Sequence, residues 1–143
     1  MSNTFYERIE EKFESKKVDI RTYSPLTLAY IGDAVYDTVV RSVVTGRGNV
    51  PNKKLHNETI KYVSATAQAK IIERIMDRLT EDEVEVYRRG KNAKPSSTAK
   101  NANLKDYLKA TGFEALIGYL YLTGAEERML ELIRFGMDIR EEE

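Results

Sequence analysis

Apolar residues recur along this chain at spacings of three and four, while the period-two alternation of strands is scarce. The spacing predicts a polar, amphipathic helix over residues 4–16. A second helix opens at Ser24-Pro25, with Ser24 as N-cap and Pro25 in the first helical position, and stops after about Thr45 at Gly46-Arg47-Gly48. Its apolar residues, from Leu26, Leu28 and Tyr30 to Val43 and Val44, cover most of its circumference, which predicts a buried central helix. Pro51 begins another helical region to about Tyr62. A further helix spans about Ser64 to Leu79, with Ile71, Ile72, Ile75, Met76 and Leu79 on its apolar face. Thr80-Glu81-Asp82-Glu83 has the form of a capping box and starts a helix lasting to about Gly90. Lys91 to Asn103, rich in Asn, Ser and Thr with a Pro, reads as a loop. A short helix to about Lys109 follows, then a nearly all-apolar helix over Thr111–Leu122 ended by Gly124, then an amphipathic one over Glu126–Met137. These elements predict an all-α fold, a compact helical bundle with two buried helices at its centre, built as a single domain over residues 1–143.

Composition narrows the chemistry. Without cysteine, the chain has no disulfide, zinc-thiolate site or thiol nucleophile. No apolar run approaches the ~20 residues of a membrane span, and Met1 to Lys17 has no apolar secretory core. The expectation is a soluble, cytoplasmic protein. Its 23 basic and 23 acidic residues cancel, but they are sorted along the chain. Arg88, Arg89, Lys91, Lys94, Lys100 and Lys105 lie in a stretch without a single acid, and the C-terminus ends Glu141-Glu142-Glu143. A polyanion-binding surface needs such local asymmetry.

Each apolar central helix also carries carboxylates. Asp33 and Asp37, four residues apart, project from nearly the same side of one, and Glu114 is the sole charge of the other. An unpaired charge in such a setting costs several kcal/mol, so each needs a cation or a metal. Facing each other, Asp33 and Glu114 form a hard-oxygen site suited to Mg²⁺ or Mn²⁺, with Asp37 one turn further along. Purely structural roles stand beside this one. Thr111-Gly112-Phe113-Glu114 has the form of a capping box, and Asp33 and Asp37 can pair with Arg or Lys. His56, the one histidine, stands beside Lys53, Lys54 and Asn57 and reads as a surface residue.

Leu28-Ala29-Tyr30-Ile31-Gly32-Asp33 resembles the first signature of the ribonuclease III family, and Phe113-Glu114-Ala115-Leu116-Ile117-Gly118 its second acidic motif. Val63-Ser64-Ala65 and the basic segment Arg89-Gly90-Lys91-Asn92-Ala93-Lys94 are similar to the Mini branch of that family. The resemblance covers about residues 23–137 in matching order. It implies a Mg²⁺-dependent endonuclease for double-stranded RNA, with Asp33 and Glu114 as metal ligands and Asp37 as a candidate third. It also implies a homodimer in which Tyr30 plugs a socket on the partner subunit. Arg88, Arg89, Lys91, Asn92, Lys94 and Lys100 are the candidate RNA contacts, since duplex RNA is held mainly through phosphates and 2′-hydroxyls. The branch's substrate, precursor of large-subunit (23S) ribosomal RNA, is the implied one. The family's first-motif glutamate falls at Ala29 and its second-motif aspartate at Thr111, so two of four usual acids are replaced. The sequence stops soon after the catalytic-domain-like helices, without the family's double-stranded-RNA-binding domain. The bundle is then expected to hold RNA alone or with a helper such as a ribosomal protein. The replaced acids favour the alternative of a non-catalytic RNA-binding or ribosome-associated protein on the same fold.

Overall fold

One helix runs through the middle of the molecule, buried along most of its course from Ala110 to Tyr121. It is the sixth of seven in the computed structural model, which describes residues 3–93 and 103–138. In chain order these are α1 (Phe5–Phe13), α2 (Pro25–Thr45), α3 (Asn52–Val63), α4 (Ala65–Ile75), α5 (Glu81–Lys91), α6 (Leu104–Leu122) and α7 (Glu126–Met137), with single 3₁₀ turns at Ile20–Thr22 and Met76–Arg78. Helices α2, α4, α5 and α7 pack around α6. The fold class is all-α, as the periodicity predicts.

Most helix starts follow their local chemistry. Thr4 and Glu7 form a reciprocal capping box on α1, and Thr80 and Glu83 form another on α5. Ser24 caps α2, and Pro25 fills its first turn. The core closes around Tyr36 and Phe113, both fully buried, whose rings meet edge to face at 5.0 Å. The Tyr36 hydroxyl donates to the Tyr62 carbonyl at 2.7 Å, which satisfies its polar end inside the core.

Three elements depart from the sequence expectation. Helix α6 is continuous from Leu104, so the capping box expected at Thr111 does not form. Thr111 instead donates its hydroxyl to the Tyr107 carbonyl at 3.1 Å inside the helix. The packing of Gly112 against Tyr87 of α5 overrides the weak local helix preference of Thr111-Gly112. The helix expected over Ser64–Leu79 ends at Ile75 and tightens into a 3₁₀ turn. Helix α2 is not buried all round. Leu28, Gly32, Tyr36, Val40 and Val44 form its buried line, while Tyr30 is 80% exposed.

Candidate active site

Helices α2 and α6 cross backbone against backbone. A Cβ added to Gly32 would lie 1.8 Å from the Glu114 carbonyl oxygen, and one on Gly118 would lie 2.0 Å from the Leu28 carbonyl oxygen. Neither position accepts even a methyl group without moving a helix. This crossing brings Asp33, exposed on α2, to Glu114, half-buried on α6.

The Asp33 carboxyl group lies close enough to Glu114 for its charge and hydrogen-bonding capacity to act on it. Burial first, then the negative charge and hydrogen bond of Asp33, push Glu114 up to about 8, against a smaller opposing effect of the Gln68 amide. Burial and a neighbouring carboxylate both disfavour the ionised form of Glu114. A divalent cation placed here can relieve both the repulsion and the cost of burial. The donors are all oxygen, which suits Mg²⁺ or Mn²⁺. Among the described residues no group of three or more His, Asp or Glu side chains assembles, here or elsewhere.

Gln68 of α4 is the third polar group at the pair. It is 2% exposed, and its Nε2 donates to Glu114 Oε2 at 3.3 Å and to the Val63 carbonyl at 3.0 Å. Its own Oε1 is buried without a hydrogen-bond partner among the described residues. Sequence reasoning passed over Gln68. The available signal was its place three and four residues before Ile71 and Ile72, a polar side chain on an apolar stripe.

Asp37 does not join the pair. Its carboxylate accepts from Arg41 Nε at 2.9 Å in an exposed i,i+4 ion pair, the arrangement of a helix-surface salt bridge. The basic residues sit on the end of α5, which Gly90 brings against Gly112 and Ala115 of α6. Arg88, Arg89 and Asn92 are exposed and Lys91 is partly so. Arg88 is paired with Glu85. Lys94 and Lys100 lie outside the described residues. His56 is exposed, as expected. Tyr30 stands on the open side of α2. On another face of α2, Ile31, Val35 and Val39 line an apolar groove with Tyr121, Met129 and Leu130, with Phe5 at its edge.

The sequence profile of the Ribonuclease III domain matches residues 26–125, a span that contains the whole crossing. The chain belongs to the ribonuclease III family. It is 45% identical to Mini-ribonuclease 3 of Thermoanaerobacter sp. over 126 residues, 88% of this chain and 89% of that one. It is 48% identical to Mini-ribonuclease 3 of Symbiobacterium thermophilum over 120 residues, 84% of this chain and 92% of that one. The crystal structure of a Fusobacterium nucleatum protein superposes with a TM-score of 0.78 at 30% identity, covering 89% of this chain and all of that one. As a ribonuclease III family member of the Mini-ribonuclease 3 type, the protein is an endoribonuclease. The positions where ribonuclease III proteins usually carry two further acids are closed here. Ala29 is buried with Leu28 and Ala115, and Thr111 is buried with its hydroxyl held by Tyr107.

Proposed function

We propose that the protein cleaves double-stranded RNA in a divalent-metal-dependent reaction and matures precursor of large-subunit ribosomal RNA. The Asp33–Glu114 pair carries this reading: two neighbouring carboxyl groups, one pushed up to about 8 by burial and then by the other's charge, at a helix crossing fixed by glycines. Asp33 and Glu114 hold the ion. Mg²⁺ keeps several waters, so two carboxylates suffice, and Ala29 and Thr111 are compatible with a working site. The ion, when bound, supplies an activated water and neutralises charge at the scissile phosphate. Arg89, Lys91 and Asn92, with Arg88 at their edge and Lys94 and Lys100 further along, contact the RNA backbone.

The same reading includes a homodimer formed through the Tyr30 side of α2, so that two pairs lie along one RNA duplex. An aromatic ring 80% exposed supports that face. No helix among the described residues is long and apolar enough to cross a membrane, which is compatible with work in the cytoplasm. A ribosomal-protein helper would present the RNA to a chain that acts as one ribonuclease III-like domain.

The test is cleavage of a perfect RNA duplex with Mg²⁺, with the ends mapped. Expected are 5′-phosphate products from the wild type and none from Asp33→Asn or Glu114→Gln. If the wild type binds duplex RNA but cuts no better than Asp33→Asn, the protein is an RNA-binding module and the catalytic reading is wrong.

A further inference from the structure

Gln68 has no role in the site as the family motifs describe it, yet it is the polar side chain that α4 places inside it. Its orientation is settled by its partners. Glu114 Oε2 and the Val63 carbonyl both accept, so the NH₂ end must face them and the oxygen must face away. The Val63 carbonyl is available because the chain breaks at Ser64. Ser64 ends α3 and caps α4, and its hydroxyl, accepting from the Ala67 amide at 3.2 Å, takes the donor that an unbroken helix would give to Val63. A turn between two helices is thereby used to anchor a side chain that reaches a third.

We propose that Gln68 is a positioning residue of the metal site. It binds one oxygen of Glu114, so that the carboxylate meets the ion beside Asp33 in a fixed orientation. This inference rests on the proposed metal-dependent reaction. Burial is what makes the role specific. A glutamine 2% exposed, with an unsatisfied oxygen, is a poor choice for packing alone, because an apolar residue of the same size fills the space without an orphaned acceptor. Its amide supplies polar support to Glu114 in a site where Ala29 and Thr111 supply no carboxylate.

Mn²⁺ binding by electron paramagnetic resonance or calorimetry tests this without reference to turnover. Gln68→Met keeps the volume and removes donor and acceptor. It is expected to weaken Mn²⁺ binding on the order of 10- to 100-fold, the usual effect of losing a hydrogen bond to a metal ligand, with a melting temperature at or above the wild type's. Gln68→Glu cannot donate to Glu114 and is expected to bind more weakly than wild type. Binding by Gln68→Glu at wild-type strength or tighter would make the side chain a direct oxygen ligand and overturn the positioning role. In the wild type, the Gln68 side-chain amide resonances are expected to move on Mg²⁺ addition, a readout that needs no variant to fold. Resonances that stay fixed while the Glu114 signals move would also overturn the role. Asp33→Asn is the control. Its loss of Mn²⁺ binding with Gln68→Met unchanged refutes Gln68 alone, whereas retained binding in Asp33→Asn removes the metal site and the Gln68 inference together.

Discussion

Two glutamates of this protein sit in helices against the core and meet opposite neighbours. Glu83 of α5 is buried and faces Arg128 of α7, whose Nε and Nη2 donate to its two oxygens at 3.0 and 2.8 Å. That guanidinium holds its carboxyl below the ordinary carboxylate range. Glu114 of α6 faces another carboxylate, and burial with that charge drives it up to about 8. Glu83 also closes the capping box at Thr80, so both of its oxygens are used to stabilise the fold. Glu114 is held where burial and a like charge both work against its ionised form. A carboxylate that the protein neutralises with its own arginine is structural. One set against a like charge is poised for something that arrives from outside.

The contrast can be broken at several points. The largest effect is expected from Gly32→Ala. Its methyl would meet the Glu114 carbonyl oxygen at 1.8 Å, far inside the contact range where ordinary overpacking costs about 1–3 kcal/mol. The gain in helix propensity of ~1 kcal/mol does not offset that. Thermal melting should show a protein destabilised by several kcal/mol or unfolded. A wild-type melt would mean the helices are not in backbone contact.

Glu83→Ala comes next. It leaves Arg128 with the Arg78 carbonyl but without its carboxylate and removes half of a capping box, and should cost about 1–3 kcal/mol in urea unfolding. Mn²⁺ binding by the folded fraction should be unchanged, and a parallel loss of binding would erase the distinction between the two glutamates.

Glu114 is expected to make stability depend on pH. With chelator present, its folded-state value lies above the usual 4.5, so the native state holds a proton that the unfolded chain has released. The contribution is complete below about 4.5 and is lost as pH rises through about 8, a decline on the order of a few kcal/mol. Unfolding at pH 5 and pH 8 should show this slope in the wild type and lack it in Glu114→Gln. Equal slopes would show that Glu114 is not raised in the folded state. The smallest effect belongs to Asp37→Asn, which removes an exposed i,i+4 pair worth ~0.5 kcal/mol or less. Mn²⁺ affinity should hold within about twofold, whereas removing a group that supports a metal ligand costs about tenfold or more. A larger fall in affinity would return Asp37 to the site.

Legibility in the sequence followed the range of the interactions. Caps are local, so Thr80 with Glu83 and Ser24 with Pro25 were readable from residue type and spacing. The acidic pair was readable because a lone charge in an apolar helix is visible in one dimension, and because the motif order resembles a known family. The continuity of α6 was not readable. Thr111-Gly112 looks like a helix start until Tyr87 and Gly90 of another helix pack on it. Asp33 and Asp37 could not be told apart, since equal spacing on one helix face hides which one faces α6 and which one faces Arg41. Gln68 needed the Ser64 break and a partner 46 residues away.

The glycine crossing has a further consequence for how the site ages with temperature. Where Gly32 and Gly118 meet, the backbones of α2 and α6 are in direct contact, with Ile31 Cγ2 beside Gly118. Rotamer hopping and loosening of the aliphatic core therefore have little purchase on the separation of the two acids. On warming, the joint should behave as a solid one that holds its spacing until the molecule melts. Amide protons at the crossing should exchange only through global unfolding, while those of α1, which has no buried residue, exchange early.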